Sequence, residues 1–217
     1  MKTKSKALLL TLCAVLLVAA SILGTMAYLT SQDTVTNTFT VGNVKITLDE
    51  AKVGTDGKAL TGNSAARVTA NKYKLMPGHT YDKDPTVTVK AGSEACYVKM
   101  TVTVNNASTL DKLFKAKGIA LENVVVGYDK TNWILKANTE DKANGTRTYE
   151  FWYKEVVAAS ATDTALDDLF EQIVVPGSIN NTELESIQNT TIIVNAYAIQ
   201  ADGFATADAA WAAFPAE

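Results

Sequence analysis

One run of residues limits the fold of this chain more than any other. In Cys96-Tyr97-Val98-Lys99-Met100-Thr101-Val102-Thr103-Val104, apolar side chains fall on every even position and mostly polar ones on the odd positions. A period of two places Cys96, Val98, Met100, Val102 and Val104 on one face of an extended strand and excludes a helix, whose apolar stripe recurs at 3.6. Such a strand buries one face only if a second layer covers it.

Other segments repeat the pattern. Val44, Ile46 and Leu48 alternate on even positions, whereas Phe39 and Val41 fall on odd ones, and a β-bulge at Gly42-Asn43 would reconcile the two parities. Thr55-Asp56-Gly57-Lys58 and Pro77-Gly78 are turn signals. Thr86–Lys90 alternates through Val87 and Val89, and Ala91-Gly92-Ser93 turns it towards the Cys96 strand, which predicts a hairpin. Val124-Val125-Val126, Trp133-Ile134-Leu135, Thr146–Val157 and Thr190–Gln200 are further expected strands. Short helices are expected from a Ser108 cap through Phe114, from Asn181 or Thr182 through Ile187, and from Thr206 through Trp211 to Phe214. Together these predict a mainly β protein: an antiparallel β-sandwich of jelly-roll type, with a few short helices in connections and at the C-terminus.

The start of the chain follows a different rule. Lys2, Lys4 and Lys6 precede an apolar run from Ala7 to Leu23, and Gly24-Thr25-Met26-Ala27 supplies small residues three and one before a cut between Ala27 and Tyr28. Charge, apolar stretch and small-residue exit in that order form an export signal. The expected division is a signal peptide over residues 1–27 and a single β-sandwich domain over 28–217, placed outside the cell by a signal peptidase. The rival reading is a retained anchor, because the apolar run approaches the ~20 residues that span a bilayer. The membrane would then be met only through this leader.

Composition narrows the function. The net charge is −3, and loss of the three leader lysines leaves −6, with no basic patch of the kind nucleic acid requires. Cys13 departs with the leader, so Cys96 stands alone and no intramolecular disulfide can form in the remaining domain. Cys96 lies on the inward face, which predicts a core thiol rather than a nucleophile.

Catalytic groups are sparse. The single histidine, His79, sits beside Pro77-Gly78, and there is neither a paired-histidine zinc motif nor a G-x-S-x-G elbow. Asp82, Asp84 and Glu94 are candidate calcium ligands, although Tyr81-Asp82-Lys83-Asp84-Pro85 lacks the central glycine and distal glutamate of a calcium loop. Asp167, Asp168 and Glu171 fit a solvated face or a helix start. The aromatic residues Trp133, Phe151, Trp152 and Tyr153 leave two readings: a stacking surface for glycan or cell wall, or core packing. The expectation is no enzyme, no metal and no cofactor.

Ala27-Tyr28-Leu29-Thr30-Ser31-Gln32-Asp33 followed by Asn37-Thr38-Phe39-Thr40-Val41-Gly42-Asn43-Val44 resembles the N-terminal region of proteins exported through a SipW-type signal peptidase in spore-forming Gram-positive bacteria. This is the family of TasA and camelysin. Leu75-Met76-Pro77-Gly78-His79-Thr80-Tyr81 and Thr190–Ala198 are similar to its later turn and core strand, whereas Ala107–Ile187 has no counterpart. The resemblance implies a secreted surface or biofilm-matrix protein of jelly-roll fold that self-associates into fibres when the N-terminal strand of one copy joins the sheet of the next. The implied assembly strand holds Val35, Phe39 and Val41. Residues 28–40, rich in threonine, free of proline and carrying only Asp33 as charge, suit either a donor strand or a flexible arm. Camelysin has been described as a metalloprotease, and no metal-ligand constellation in this chain matches that activity. N-terminal sequencing of the exported protein should read Tyr28-Leu29-Thr30; a sequence starting at Met1 in a membrane fraction would establish the anchor instead.

Overall fold

The computed structural model describes residues 6, 10–17, 42–116 and 127–215. The chain divides into two units, Met1–Val41 and Gly42–Glu217. In the first unit residues 10–17 are helical and display Leu10, Leu12, Val15, Leu16 and Leu17 at the surface. Among the described residues no helix is long and apolar enough to cross a membrane. The cleavage pair Ala27 and Tyr28, the assembly-strand residues Val35, Phe39 and Val41, and the expected strand at Val124–Val126 lie outside the described residues.

The second unit is mainly β, and its strands pair antiparallel throughout. The strand Cys96–Val104 (β5) is central to one sheet. It pairs on one side with Ile192–Gln200 (β10) and on the other with Thr146–Tyr153 (β7), beyond which lies Trp133–Asp141 (β6). All five even-numbered side chains of β5 are buried, as the alternation requires. β6 and β7 form a tight hairpin, in which Asp141 Oδ1 accepts the N–H groups of Ala143 and Asn144 at 3.0 and 3.2 Å.

A second four-stranded sheet runs in the order Arg67–Val68 (β2), Ile46–Ala51 (β1), Thr86–Val89 (β4) and Thr164–Ala165 (β8). A two-stranded ribbon joins Thr80–Asp82 (β3) to Gln172–Val174 (β9). Val87 and Val89 from one sheet and Val98, Met100 and Val102 from the other belong to one core, with Val44, Ile46 and Leu48 packed against it.

The expected hairpin between Thr86–Lys90 and the Cys96 strand does not form. β4 pairs with β1 and β8, and β5 with β10 and β7, so residues 90–95 carry the chain from one sheet to the other. The connection is tied to other segments: Lys90 N–H donates to Lys45 O at 2.8 Å, and Gly92 N–H to Ser160 O at 2.9 Å. Each run has one apolar face. Placing the runs in opposite sheets lets those faces cover each other, whereas a hairpin would leave both in need of another cover.

The helices follow the sequence with small shifts. Ala107–Ala116 (α1) starts before Ser108: Asn106, at φ +57°, supplies the carbonyl that accepts Leu110 N–H at 3.0 Å. Its buried residues Ala107, Leu110 and Phe114 keep helical spacing. Asn181–Ser186 (α2) is capped by Asn180 rather than Asn181 or Thr182, in a capping box with Glu183. Ala207–Ala213 (α3) is capped by Thr206, as expected.

Gly57, in the expected turn, has φ +76°, and a Cβ there would lie 2.2 Å from Tyr81 Cδ1. Only glycine lets this turn close over Tyr81. Met100→Ala should cost about 2–5 kcal/mol in urea unfolding, because it empties space in a filled core. Thr101→Ala, on the other face of β5, should cost under about 1 kcal/mol.

Candidate functional site

Two features of the second unit stand out as chemistry rather than packing: an uncharged sheet edge with a cavity beside it, and a polar cluster in the wall of that cavity. The edge is β10, Ile-Ile-Val-Asn-Ala-Tyr-Ala-Ile-Gln over Ile192–Gln200, whose nine residues carry no charge and no proline. Among the described residues it pairs only with β5, and Ile193 is 54% exposed. The first residues of β10 line a cavity of about 1160 Å³ together with Leu48 of β1, Leu110 and Phe114 of α1, and Leu184 of α2. Among the described residues β1 is also incompletely paired on one side: β2 meets it only at Glu50 and Ala51, while Ile46–Asp49 pair only with β4.

Glu50, Asn71, Tyr73 and Lys83 line the same cavity. Glu50 is held inward on β1, and Lys83 leaves β3 beside it. Both side chains are 8% exposed, and Lys83 Nζ donates to Glu50 Oε2. Asn71 Nδ2 donates to the other carboxylate oxygen, Glu50 Oε1, at 3.0 Å and to Ala51 O at 2.8 Å; Asn71 Oδ1 accepts Val53 N–H at 3.0 Å. Tyr73 stands edge-on to Tyr81 at 5.9 Å and donates to Asp82 O at 3.0 Å. Burial, and then the negative charge of Glu50, push its phenol well above the usual tyrosine value. Removing one partner from a buried ion pair of this kind costs ~3–5 kcal/mol, so the cluster is stable only when complete.

Sequence reasoning missed Glu50, Asn71 and Lys83. A signal for Glu50 was present, since the inward parity of Val44, Ile46 and Leu48 runs on to position 50 and places a carboxylate where an apolar residue is expected. Nothing local marks Asn71 or Lys83, which reach Glu50 only through the fold.

Two of the acidic residues singled out from sequence, Asp82 and Asp84, are held by cations. Asp82 accepts Lys58 Nζ and Ala59 N–H, each at 2.9 Å. Burial raises its pKa, but these two donors outweigh that and leave it below the ordinary carboxylate value. Asp84 Oδ2 meets Arg67, whose Nε also bonds Asp49 Oδ1 at 2.7 Å. Glu94 is exposed. Among the described residues no three metal-ligating side chains gather. Asp167 Oδ2 accepts Tyr153 OH at 3.0 Å, and Asp168 Oδ1 accepts Thr86 Oγ1 at 2.6 Å. His79 is an exposed turn residue with Nδ1 3.1 Å from Pro77 O.

The aromatic residues do not form one platform. Trp133 and Phe151 are buried, and Trp133 Nε1 donates to Asp167 O at 3.0 Å. Trp152 points to the opposite face of β7, where it meets Trp211 at 6.0 Å with Lys136 Nζ 4.1 Å above its ring.

No protein-family model matches the chain, and neither the curated proteins nor the solved structures contain a match.

Cys96 is fully buried, and burial pushes its thiol up to about 11. The thiolate is the reactive form, so a thiol reagent at pH 8 should leave Cys96 unmodified in the folded protein. The same reagent should label it fully in denaturant. Rapid labelling under native conditions would contradict the buried assignment.

Proposed function

We propose that this protein is an exported structural component of the bacterial surface or extracellular matrix whose copies join by strand addition. The observation that carries the reading is β10. A nine-residue, uncharged, proline-free edge strand is a template for pairing with another chain, and folded proteins ordinarily protect such edges with charge, proline or a bulge. In strand addition, backbone hydrogen bonds give affinity while alternate side chains fill pockets. The cavity beside the first residues of β10 provides such a pocket. Residues 28–40 of a neighbouring copy, nearly uncharged and rich in threonine, have the composition of the incoming strand.

The export leader and the resemblance to the TasA and camelysin family support the same reading. Removal of residues 1–27 would free the donor segment at the moment of export, so that assembly starts outside the cell. The role is non-enzymatic, and the partner is a second copy of the chain.

Purified Tyr28–Glu217 should form filaments visible by electron microscopy, and deletion of Tyr28–Asn37 should abolish them. Ile193→Lys places a charge on the exposed edge and should keep the protein monomeric with an unchanged circular dichroism spectrum. A wild-type protein that stays monomeric under all assembly conditions would overturn the proposal.

A further inference from the structure

Glu50, Asn71 and Lys83 set a carboxylate, a carboxamide and a primary amine side by side in the wall of the cavity, with Glu50 and Lys83 each 8% exposed. Their hydrogen bonds are specific in chemical terms. One oxygen of Glu50 faces the amine nitrogen of Lys83, and the other faces the amide nitrogen of Asn71. The amide oxygen of Asn71 accepts the N–H of Val53 at 3.0 Å. An amine, an amide carbonyl, a shared proton carrier and an N–H donor on the carbonyl oxygen are the parts needed to exchange one amide for another.

We propose that Lys83 and Asn71 become joined by an intramolecular isopeptide bond, with Glu50 as the group that carries the proton. Lys83 Nζ passes a proton to Glu50 Oε2, and the neutral amine attacks Asn71 Cγ. The carbonyl electrons move onto Oδ1, where the Val53 N–H stabilises the developing charge. Glu50 then protonates Asn71 Nδ2, the Cγ–Nδ2 bond breaks, and ammonia leaves through the adjoining cavity. The second proton on Lys83 Nζ is lost as the carbonyl reforms and returns to the Glu50 carboxylate or to the departing ammonia. One amide and one amine yield one new amide and one ammonia, so neither an oxidant nor a cofactor takes part.

Several observations favour this outcome over a passive ion pair. The Glu50 carboxylate holds the amine on one oxygen and the amide on the other before reaction, which keeps the two reacting groups on one small scaffold. Lys83 and Glu50 are almost wholly shielded, which limits competing water. Tyr81, 1% exposed, and Tyr73 pack edge-on at 5.9 Å beside the pocket. The reaction gives up both hydrogen bonds of Asn71 Nδ2, to Glu50 Oε1 and to Ala51 O, together with the Lys83–Glu50 ion pair. In return it closes a covalent ring of roughly a dozen residues, which restrains the unfolded chain as a disulfide would. Both cysteines are free, so the described structure holds no other covalent staple. The proposal stands independently of assembly by β10.

Intact mass spectrometry of the purified protein, taken against its determined N-terminus, should show a mass lower by one ammonia. Proteolysis should release a joined peptide carrying both Asn71 and Lys83. Glu50→Gln and Lys83→Arg should each have the full calculated mass and yield separate peptides. A wild-type protein of full calculated mass would overturn the proposal. So would loss of ammonia without a joined peptide, since that marks cyclisation of Asn71 onto its own backbone. The decisive measurement is made on the unaltered chain and does not require any variant to fold.

Discussion

Burial of one face of β5 is the constraint on which the rest of the second unit depends. Each alternate side chain from Cys96 to Val104 is withdrawn from water, and at about 25 cal/mol per Å² of apolar surface this is a large fraction of what holds a domain of this size together. Because β5 pairs along both edges, its inward face also sets the parity of β7 and β10. Tyr149 and Phe151 turn inward opposite Val102 and Met100, and Ala196 and Val194 follow from the other side. A one-residue slip would turn every one of these side chains to the wrong face.

The second sheet is a consequence of that face needing a cover. Residues 90–95 deliver β4 to the opposite layer, where Val87 and Val89 close the core. Ahead of that crossing, β1, the end of β3 and the segment after β2 come together, so Glu50, Asn71 and Lys83 meet from three separate segments. A buried lysine and glutamate are costly to desolvate and seldom contribute more stability than apolar residues of the same volume. Their presence at the wall of a cavity is therefore better explained by chemistry than by stability, and the isopeptide bond supplies that explanation.

The two halves of the functional reading draw on opposite physics. The cluster at Glu50 depends on enclosure, whereas the proposed strand addition at β10 depends on an edge that pairs only with β5 among the described residues. Both would suit the polymer proposed above. One would add covalent resistance within each copy, and the other would supply backbone hydrogen bonds between copies.

Much of this architecture was legible in local patterns. The alternation in Cys96–Val104, Thr146–Tyr153 and Thr190–Gln200 identified the principal strands, because a half-buried strand writes its period into the sequence. Thr206 acts over three residues, which is why its cap could be read without the fold. What the sequence by itself determined was therefore the set of strands, their inward faces and the isolation of Cys96 as a core thiol. Only the tertiary structure decided which strands are neighbours: it separated β4 from β5, placed β10 beside β5 alone among the described strands, and joined Asn71 and Lys83 to Glu50. Pairing and proximity of that kind depend on contacts between distant segments, and no local periodicity records them.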